Sequence, residues 1–309
     1  MFDFSPGNAP IVMRLRISRS EIPMIPATLE FSIERYVLYP STPALTAHTD
    51  MRPEDFNEWV DTKGDRFRDT FSRICFYLAE RYMSPVDITR DETVIVGTEY
   101  GNLEAMLRFQ RQARVDHKSL SAQQFPYATT SSASTFVNIT RHISGGNATL
   151  NSGALTPALA LLHGLLHVQS HKRARSHLFI GDTYCDEALE DVRKRTPSAQ
   201  ISSGICYLAL TEGHQFSAYV RFEQSAQQAL SGIACDARFY LDSGSHAQLG
   251  LQCSSDDSHT GGGANEHNRA FVFGAFLEGV LALKPGQCAA LVLADLNAAS
   301  CLVVSRHHE

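Results

Sequence analysis

The sequence predicts an α/β fold built in layers around one buried helix, and two features of the chain indicate it. Segments with the apolar pattern of strands alternate with segments whose apolar residues recur three and four positions apart, which is helical spacing. Near the middle, a short strand at 148–150 leads through a tight corner into the apolar run 158–171. Apolar residues cover nearly the whole circumference of that run, which predicts a helix buried on all sides.

The residues at the start of the chain show few patterns that predict helices or strands. Residues 11–17 alternate as a half-buried strand does, and several prolines then interrupt the chain, so we expect the first 70 residues to be mostly irregular. A helix at 67–83 and a strand at 93–97 follow. A further helix at 133–143 precedes the central strand.

The part after the central helix is predicted to be rich in strands. The segments 176–181, 201–210 and 217–222 have strand patterns and complete a first set of elements. The remainder predicts strands at 237–241 and 249–253, a glycine-rich loop at 261–263, a helix at 268–283, and strands at 289–293 and 300–304.

Composition bounds the class of protein. The chain has 309 residues, of which 43% are hydrophobic, and this is enough for a sizeable core. No apolar run approaches the roughly 18 residues of a membrane span, and the first residues lack the pattern of a signal peptide, so we expect a cytoplasmic protein without membrane contact. A net charge of -6 predicts no nucleic-acid face. The seven cysteines contain no C-x-x-C pair, which argues against a disulfide framework or a zinc site.

The corner before the central helix holds Ser152, Gly153 and Ala154. A helix N-terminus presents unpaired backbone N–H groups and the positive end of the helix dipole. Enzymes place nucleophiles there because this field stabilises a thiolate and the amides form an oxyanion hole. The corner is therefore the candidate site.

The segment around this corner carries a resemblance. Residues 144–157, which read SGGNATLNSGALTP, resemble the nucleophile corner of the β-ketoacyl synthases of the thiolase superfamily. When Gly145, Asn147 and Thr149 are matched to the pattern of that family, Ala154 falls where the family carries its cysteine. An alanine cannot attack a thioester. The chain thus resembles ketosynthase-like proteins that have lost the nucleophile, as chain-length factor subunits have.

The resemblance implies a fold and partners. The implied fold is the thiolase-like layered α/β arrangement (αβαβα), with a complete N-terminal half at residues 1–224 and a truncated C-terminal half at 225–309. No cofactor is implied. The strand before the corner pairs across a twofold axis in this superfamily, so the resemblance also implies a dimer. Because its own chemistry is missing, the implied partner is an active ketosynthase subunit in a heterodimer, which an acyl carrier protein supplies.

Two histidines complete the active site in the family that the chain resembles. The loop 241–245 stands where the first is expected and has none, and His246 is out of register. His267 is the nearest candidate for the second, since it precedes the last predicted helix. We interpret His267 as an exposed residue at a helix start.

Other nucleophiles near the corner are an alternative. Ser152 and Thr156 flank Ala154, but a hydroxyl needs a base within hydrogen-bond reach and no sequence pattern supplies one. We therefore interpret Ser152 as a helix-cap residue. Cys185 lies among acidic residues that would raise its pKa, which disfavours a reactive thiolate.

Three further groups have two interpretations each. By resemblance, Thr129, Ser132 and Phe136 line the acyl tunnel or the subunit interface, and the alternative for Phe136 is an ordinary core position. The basic residues Lys172, Arg173 and Arg175 either steer an acidic carrier protein or complement a helix dipole.

The third group is a histidine stripe on the central helix. His163, His167 and His171 recur four positions apart, a spacing that binds zinc in some proteins. The stripe lacks the accompanying glutamate of that motif. We interpret it as a polar face and predict no metal site.

These observations lead to one main hypothesis and two alternatives. The main hypothesis is a non-catalytic chain-length-factor-like subunit of a type II polyketide or aryl-polyene type synthase. The first alternative is a stand-alone acyltransferase or thioesterase that uses a hydroxyl such as that of Ser152. The second is a ketosynthase-like scaffold without an acyl tunnel.

Overall fold

The computed structural model describes residues 28–43, 51–61, 67–85, 87, 90–116, 120–240, 266–295 and 298–308. The predicted strands at 11–17 and 249–253 and the loop at 261–263 lie outside these residues, as do the loop 241–245 and His246. The strands are β1 (Leu29–Tyr39), β2 (Glu92–Gly97), β3 (Asn147–Leu150), β4 (Arg175–Asp182), β5 (Gly204–Glu223), β6 (Ala237–Tyr240), β7 (Cys288–Asp295) and β8 (Ala298–Arg306). The helices are α1 (Phe56–Trp59), α2 (Thr70–Tyr82), α3 (Leu103–Val115), α4 (Ser132–Thr140), α5 (Thr156–Ser170), α6 (Asp186–Arg195), α7 (Ala226–Leu230) and α8 (Arg269–Ala282).

The strands follow the order β3-β2-β4-β5-β8-β7-β6, and β1 pairs with β5. Strand β2 is parallel to both β3 and β4, whereas β5 is antiparallel to β4 and β8. Strand β6 is parallel to β7, which is antiparallel to β8. Strand β3 lies at one end of this order and β6 at the other.

Strand β5 corrects the prediction of separate strands at 201–210 and 217–222. It runs without a break over 20 residues, pairing with β4 as far as Thr211 and with β8 from Phe216 onward. The polar residues between these points look like a turn in the sequence. They remain extended because β1 pairs with β5 on both sides of them. Gly213 lies in this stretch, where an added Cβ would overlap Ser32 of β1.

Strand β1 also corrects a prediction, because the first 70 residues were expected to be mostly irregular. Residues 29–39 form a long strand that pairs with β5 from Leu29 opposite Ala218 to Tyr39 opposite Ile205. Pro26 and Pro40 lie just outside this strand. Prolines end strands without excluding a strand between them.

The core lies in layers, as predicted. The central apolar cluster combines α5 and α8 with the inward side chains of both groups of strands, among them Leu178, Leu208, Leu291 and Leu302. Helices α2 and α4 cover the opposite face of β2, β4 and β5. Helix α7 covers the opposite face of β7 and β8. The order helix, sheet, helix, sheet, helix confirms the layered α/β fold.

Helix α5 is less buried than its composition predicts. Its residues Ala158, Leu161 and Leu165 are fully buried in the central cluster. His163 is exposed, and Leu166 retains 48% of its accessible surface. The prediction of burial on all sides is wrong for this chain by itself, because the strands pack against only part of the helix surface. No helix among the described residues is both long and apolar enough to span a membrane.

Candidate functional site

The corner between β3 and α5 has the backbone geometry that its sequence predicts. Residues Gly153–Leu155 form a single 3₁₀ turn before α5. Gly153 has a φ of 54°, a left-handed conformation that favours glycine. Ala154 is 5% exposed and presents only a methyl group at the predicted nucleophile position.

Thr156 closes the corner, and Ser152 has a different role from the predicted one. The Ser152 backbone N–H donates to Thr156 Oγ1 over 2.9 Å, and Thr156 Oγ1 donates to the Gly153 carbonyl over 2.9 Å. The Ser152 side chain makes no capping hydrogen bond. The predicted cap role of Ser152 is therefore wrong, because the Thr156 hydroxyl from inside the helix holds the turn instead.

A largely buried group of charges with one exposed member, Arg195, adjoins this corner, and we call it the Glu99 cluster (Glu99, Arg195, His267 and Arg269). Asn151 at the corner donates from Nδ2 to the Glu99 carbonyl over 2.8 Å. The Glu99 carboxylate pairs with Arg269 Nη1 at 2.6 Å, with Arg195 Nη2 at 2.7 Å and with His267 Nε2 at 3.4 Å.

His267 is therefore not the exposed residue that the sequence indicated. Its side chain is 11% exposed and packs edge-on against Tyr184. The reason is that its neighbours Glu266 and Asn268 are buried, and the His267 N–H donates to the Gln200 carbonyl over 2.8 Å. The imidazole Nε2 faces Glu99, so this nitrogen is engaged with a carboxylate next to the corner.

The cluster fixes the ionisation of Glu99. Burial alone would raise the pKa of its carboxyl, but His267, Arg269 and Arg195 outweigh burial and lower that pKa to about 2. The ordinary value is 4.5. Glu99 is consequently a permanent anion at neutral pH, which suits an ion-pairing role better than proton transfer.

We expect Glu99→Gln to lower the free energy of unfolding by about 2–3 kcal/mol at pH 7. Because the folded-state pKa is lowered, this stabilisation is fully present above pH 4.5 and is lost as the pH falls toward 2. Urea denaturation at pH 7 and at pH 3 measures the change. Glu190→Gln is the control: this exposed carboxylate on α6 pairs with Lys194, and its loss should change the free energy of unfolding by less than about 1 kcal/mol. A difference between wild type and Glu99→Gln that is equal at both pH values would contradict the assignment.

Asp182 at the end of β4 positions the Glu99 backbone. Its Oδ1 accepts from the Thr98 hydroxyl at 2.6 Å, the Glu99 N–H at 2.9 Å and the Tyr100 N–H at 2.7 Å. Sequence reasoning missed Glu99, Asp182 and Arg269. The available signal was that Thr98 and Asp182 follow two buried parallel strands, whose carboxyl ends meet at one edge of the sheet.

The predicted carrier-docking residues separate in the structure. Lys172 and Arg173 are exposed on the turn between α5 and β4. Arg175 is buried, with Nε 2.7 Å from Glu34 and Nη1 3.0 Å from Glu92. The prediction for Arg175 is wrong, because β4 begins at this residue and directs its side chain into the protein.

The predicted tunnel or interface residues lie around the start of α4. Ser132 is buried at the first turn of this helix. The Phe136 ring stacks on Tyr127 at 4.6 Å between ring centres and borders the cluster beneath α2. Thr129 donates its hydroxyl to the Pro126 carbonyl over 3.0 Å. Their role toward an acyl chain stays a prediction.

Cys185 borders a polar cleft of about 490 Å³ with arginine side chains in its wall. Burial raises the pKa of its thiol, and the carboxylates of Glu104 and Asp186 add to this effect. The direction agrees with the sequence prediction, although burial is the larger cause. A raised pKa disfavours a thiolate nucleophile.

The residues of the histidine stripe on α5 lie in two different environments. His163 is exposed, whereas the His167 and His171 rings contact each other with 4.6 Å between ring centres and a tilt of 31°, and both lie beside Asp91. Asp91 precedes β2 and was not predicted to take part. The sequence could not place it there, because β2 and α5 are far apart in the chain.

No protein-family model and no curated protein matches this sequence. Solved structures do match. A chain of the ishigamide ketosynthase/chain length factor aligns with a TM-score of 0.62 at 15% identity, over 82% of this chain and 85% of that one. A chain of the ketosynthase ApeO in complex with its chain length factor ApeC, from Xenorhabdus doucetiae, aligns with a TM-score of 0.51 at 11% identity, over 89% of this chain and 99% of that one.

A third structure is AntDE:AntF, a type II polyketide synthase acyl-carrier protein in complex with its ketosynthase, which aligns with a TM-score of 0.54 at 11% identity, over 82% of this chain and 88% of that one. At these identities the similarity establishes the fold. The resemblance that residues 144–157 indicated is confirmed at that level: the chain has the thiolase-type layered fold of ketosynthase and chain-length-factor proteins.

Proposed function

We propose that this protein is a non-catalytic, chain-length-factor-like subunit that pairs with an active ketosynthase in type II polyketide or aryl-polyene type biosynthesis. The observation that carries the proposal is Ala154. It occupies the buried corner at the start of α5 where a ketosynthase needs a thiol, and a methyl group cannot form a thioester. Acyl transfer then depends on the partner.

The solved structures support the kind of partner. One similar structure is a ketosynthase with its chain length factor, and another holds an acyl-carrier protein with its ketosynthase. By analogy, the partner of this chain is a ketosynthase that receives acyl groups from a carrier protein. Such a complex works in the cytoplasm.

An exposed edge and an apolar surface support pairing with a second subunit. Among the described strands, β3 has a neighbour on one side, so its other edge is open to another chain. Helices α4 and α5 both contact β3. They expose Ile139 and Leu166, which keep 58% and 48% of their accessible surface. An open strand edge, with exposed apolar side chains on the helices that contact that strand, is typical of a subunit interface.

The proposal extends to an acyl tunnel and to a docking surface for the carrier protein. Phe136 and Thr129 would border the acyl chain that grows on the partner, and the volume of their side chains would limit its length. Lys172 and Arg173 are the exposed cations that an acidic carrier protein would meet. Residues 1–224 and 225–309 would form the complete and the reduced halves of the ketosynthase-like unit.

Co-expression with a ketosynthase from the same gene neighbourhood tests the pairing. We expect the two chains to co-purify in equal amounts, because each buries the open edge and the apolar surface of the other. Intact-protein mass spectrometry after incubation with an acyl thioester should find the adduct on the ketosynthase and none on this chain.

An acyl adduct on this chain would refute the proposal and favour the alternative of a hydroxyl nucleophile. Ser152→Ala then decides whether that hydroxyl is the site. This variant keeps the backbone N–H of residue 152, which donates a hydrogen bond to Thr156 Oγ1, so we expect it to fold normally.

A further inference from the structure

The C-terminal end of α5 carries three metal-ligating side chains that the acyl site does not use. Asp91, His167 and His171 each offer a ligand atom, and these atoms all lie within 4.8 Å of one another. Ligands of a tetrahedral zinc ion are about 3.4 Å apart, since each bond is about 2.0–2.1 Å long. The three atoms would therefore have to approach one another by at most about 1.4 Å to hold such an ion.

Both imidazoles are held in the form that binds a metal. His171 Nδ1 lies 3.1 Å from the His167 carbonyl, and His167 Nε2 lies 3.1 Å from the Asp91 carbonyl. A carbonyl only accepts, so each of these nitrogens carries the hydrogen. The lone pairs therefore remain on His171 Nε2 and His167 Nδ1. Metal-ligating histidines have this arrangement, in which the second nitrogen donates to a carbonyl and orients the ring.

The charges around the site favour a cation. His171 Nε2 lies 3.6 Å from Asp91 Oδ2, so a nitrogen lone pair faces a carboxylate. Two acceptors in this position repel each other unless a proton or a metal ion lies between them. Of the cations beside them, Arg90 and Arg173 both pair with Asp87. His171 is about half exposed, which leaves room for an ion and a bound water.

We propose that Asp91, His167 and His171 bind a divalent transition-metal ion such as Zn²⁺, with water in the fourth position. Two imidazoles and one carboxylate suit Zn²⁺ and its late first-row neighbours better than Mg²⁺ or Ca²⁺, which prefer oxygen ligands. The ion ties the end of α5 to the segment before β2. The ion lies about 25 Å from Ala154, measured along α5 and the turn before it, so it does not take part in chemistry at the corner.

Isothermal titration calorimetry of the full chain with ZnSO₄ after EDTA treatment and dialysis tests the site, whether the chain is purified alone or with a ketosynthase. We expect one Zn²⁺ per chain at this site. His171→Ala and Asp91→Asn should each weaken this binding at least about tenfold. His163→Ala, one turn earlier on the same helix and outside the site, is the matched control and should leave the affinity within about twofold.

Zinc binding that His171→Ala and Asp91→Asn leave unchanged would overturn the inference, as would an equal loss in His163→Ala or the absence of binding in the wild type. Circular dichroism of each variant without metal shows whether it is folded. If His171→Ala does not fold, Asp91→Asn decides, because it preserves the Asp91 carbonyl that orients His167.

Discussion

We expect Arg175→Met to lower the free energy of unfolding by about 3–5 kcal/mol, because it removes the guanidinium that pairs with the buried Glu92 carboxylate and with Glu34. Arg173→Met, two residues earlier, should change it by less than about 1 kcal/mol. The Arg173 guanidinium is exposed and pairs with Asp87 at 3.5 Å. The two substitutions are chemically identical, so the contrast isolates burial.

The surroundings of Arg175 explain the size of this effect. Its guanidinium contacts the Glu34 and Glu92 carboxylates, and Glu92 Oε2 also lies 3.1 Å from His177 Nε2. The His177 ring continues to the Tyr207 hydroxyl, 3.0 Å from Nδ1. Glu92 and His177 are almost completely buried. Methionine fills a similar volume but neutralises neither carboxylate.

Equilibrium urea denaturation at several pH values measures both variants. Burial lowers the pKa of His177, and for Glu92 the lowering by His177 and Arg175 outweighs burial. Both folded-state pKa values are lowered, so the free energy of unfolding falls on acidification. Below about pH 6.5 the buried His177 resists protonation in the folded state, and below about pH 4.5 the stabilisation from the ionised Glu92 carboxylate is progressively lost. The deficit of Arg175→Met should therefore shrink below pH 4.5. An equal effect of Arg173→Met would show that burial does not matter here.

Asn268→Ala should be comparably destabilising, by about 3–5 kcal/mol. Asn268 is fully buried, and its Nδ2 donates to the carbonyls of Asp182, Ser202 and Gly204 at 2.9, 2.9 and 3.1 Å. Its Oδ1 accepts from the Ala270 N–H over 3.0 Å and caps α8. One side chain thus joins the end of β4, the approach to β5 and the start of α8. Alanine leaves these buried groups without partners.

Thermal or urea denaturation of Asn268→Ala is best compared with Ser225→Ala. Ser225 is exposed and caps α7 through the Gln228 N–H. Loss of that cap alone should cost about 1 kcal/mol. If Asn268→Ala cost no more than this, the three carbonyl contacts would contribute nothing beyond the cap.

The elements around the corner could be predicted because their patterns are local. The strand before the corner, helix α5, and helix α8 with its apolar run all lie within a few residues of their predicted bounds. The placement of Ala154 at the nucleophile position came from the resemblance of the residues before it to the ketosynthase pattern, and it stays a prediction. Each of these predictions depended on neighbouring residues in the sequence.

The charged contacts could not be predicted because they join distant parts of the chain. Glu99 meets His267 and Arg269 only after β2 and α8 have packed together. Arg175 looked like a surface residue because two exposed cations precede it. The continuity of β5 was hidden for the same reason, since Glu212 to Gln215 resemble a turn until β1 lies beside them.

The continuous course of β5 determines how the chain up to residue 224 and the chain after it depend on each other. Its backbone hydrogen bonds extend from β4 to β8, and β1 pairs along both parts, so strands from before and after residue 224 pair with the same strand. A truncation after residue 224 would expose the β5 edge that β8 normally covers, and a bare edge is a template for aggregation. The halves should consequently melt in a single cooperative transition, and neither should persist as a stable fragment.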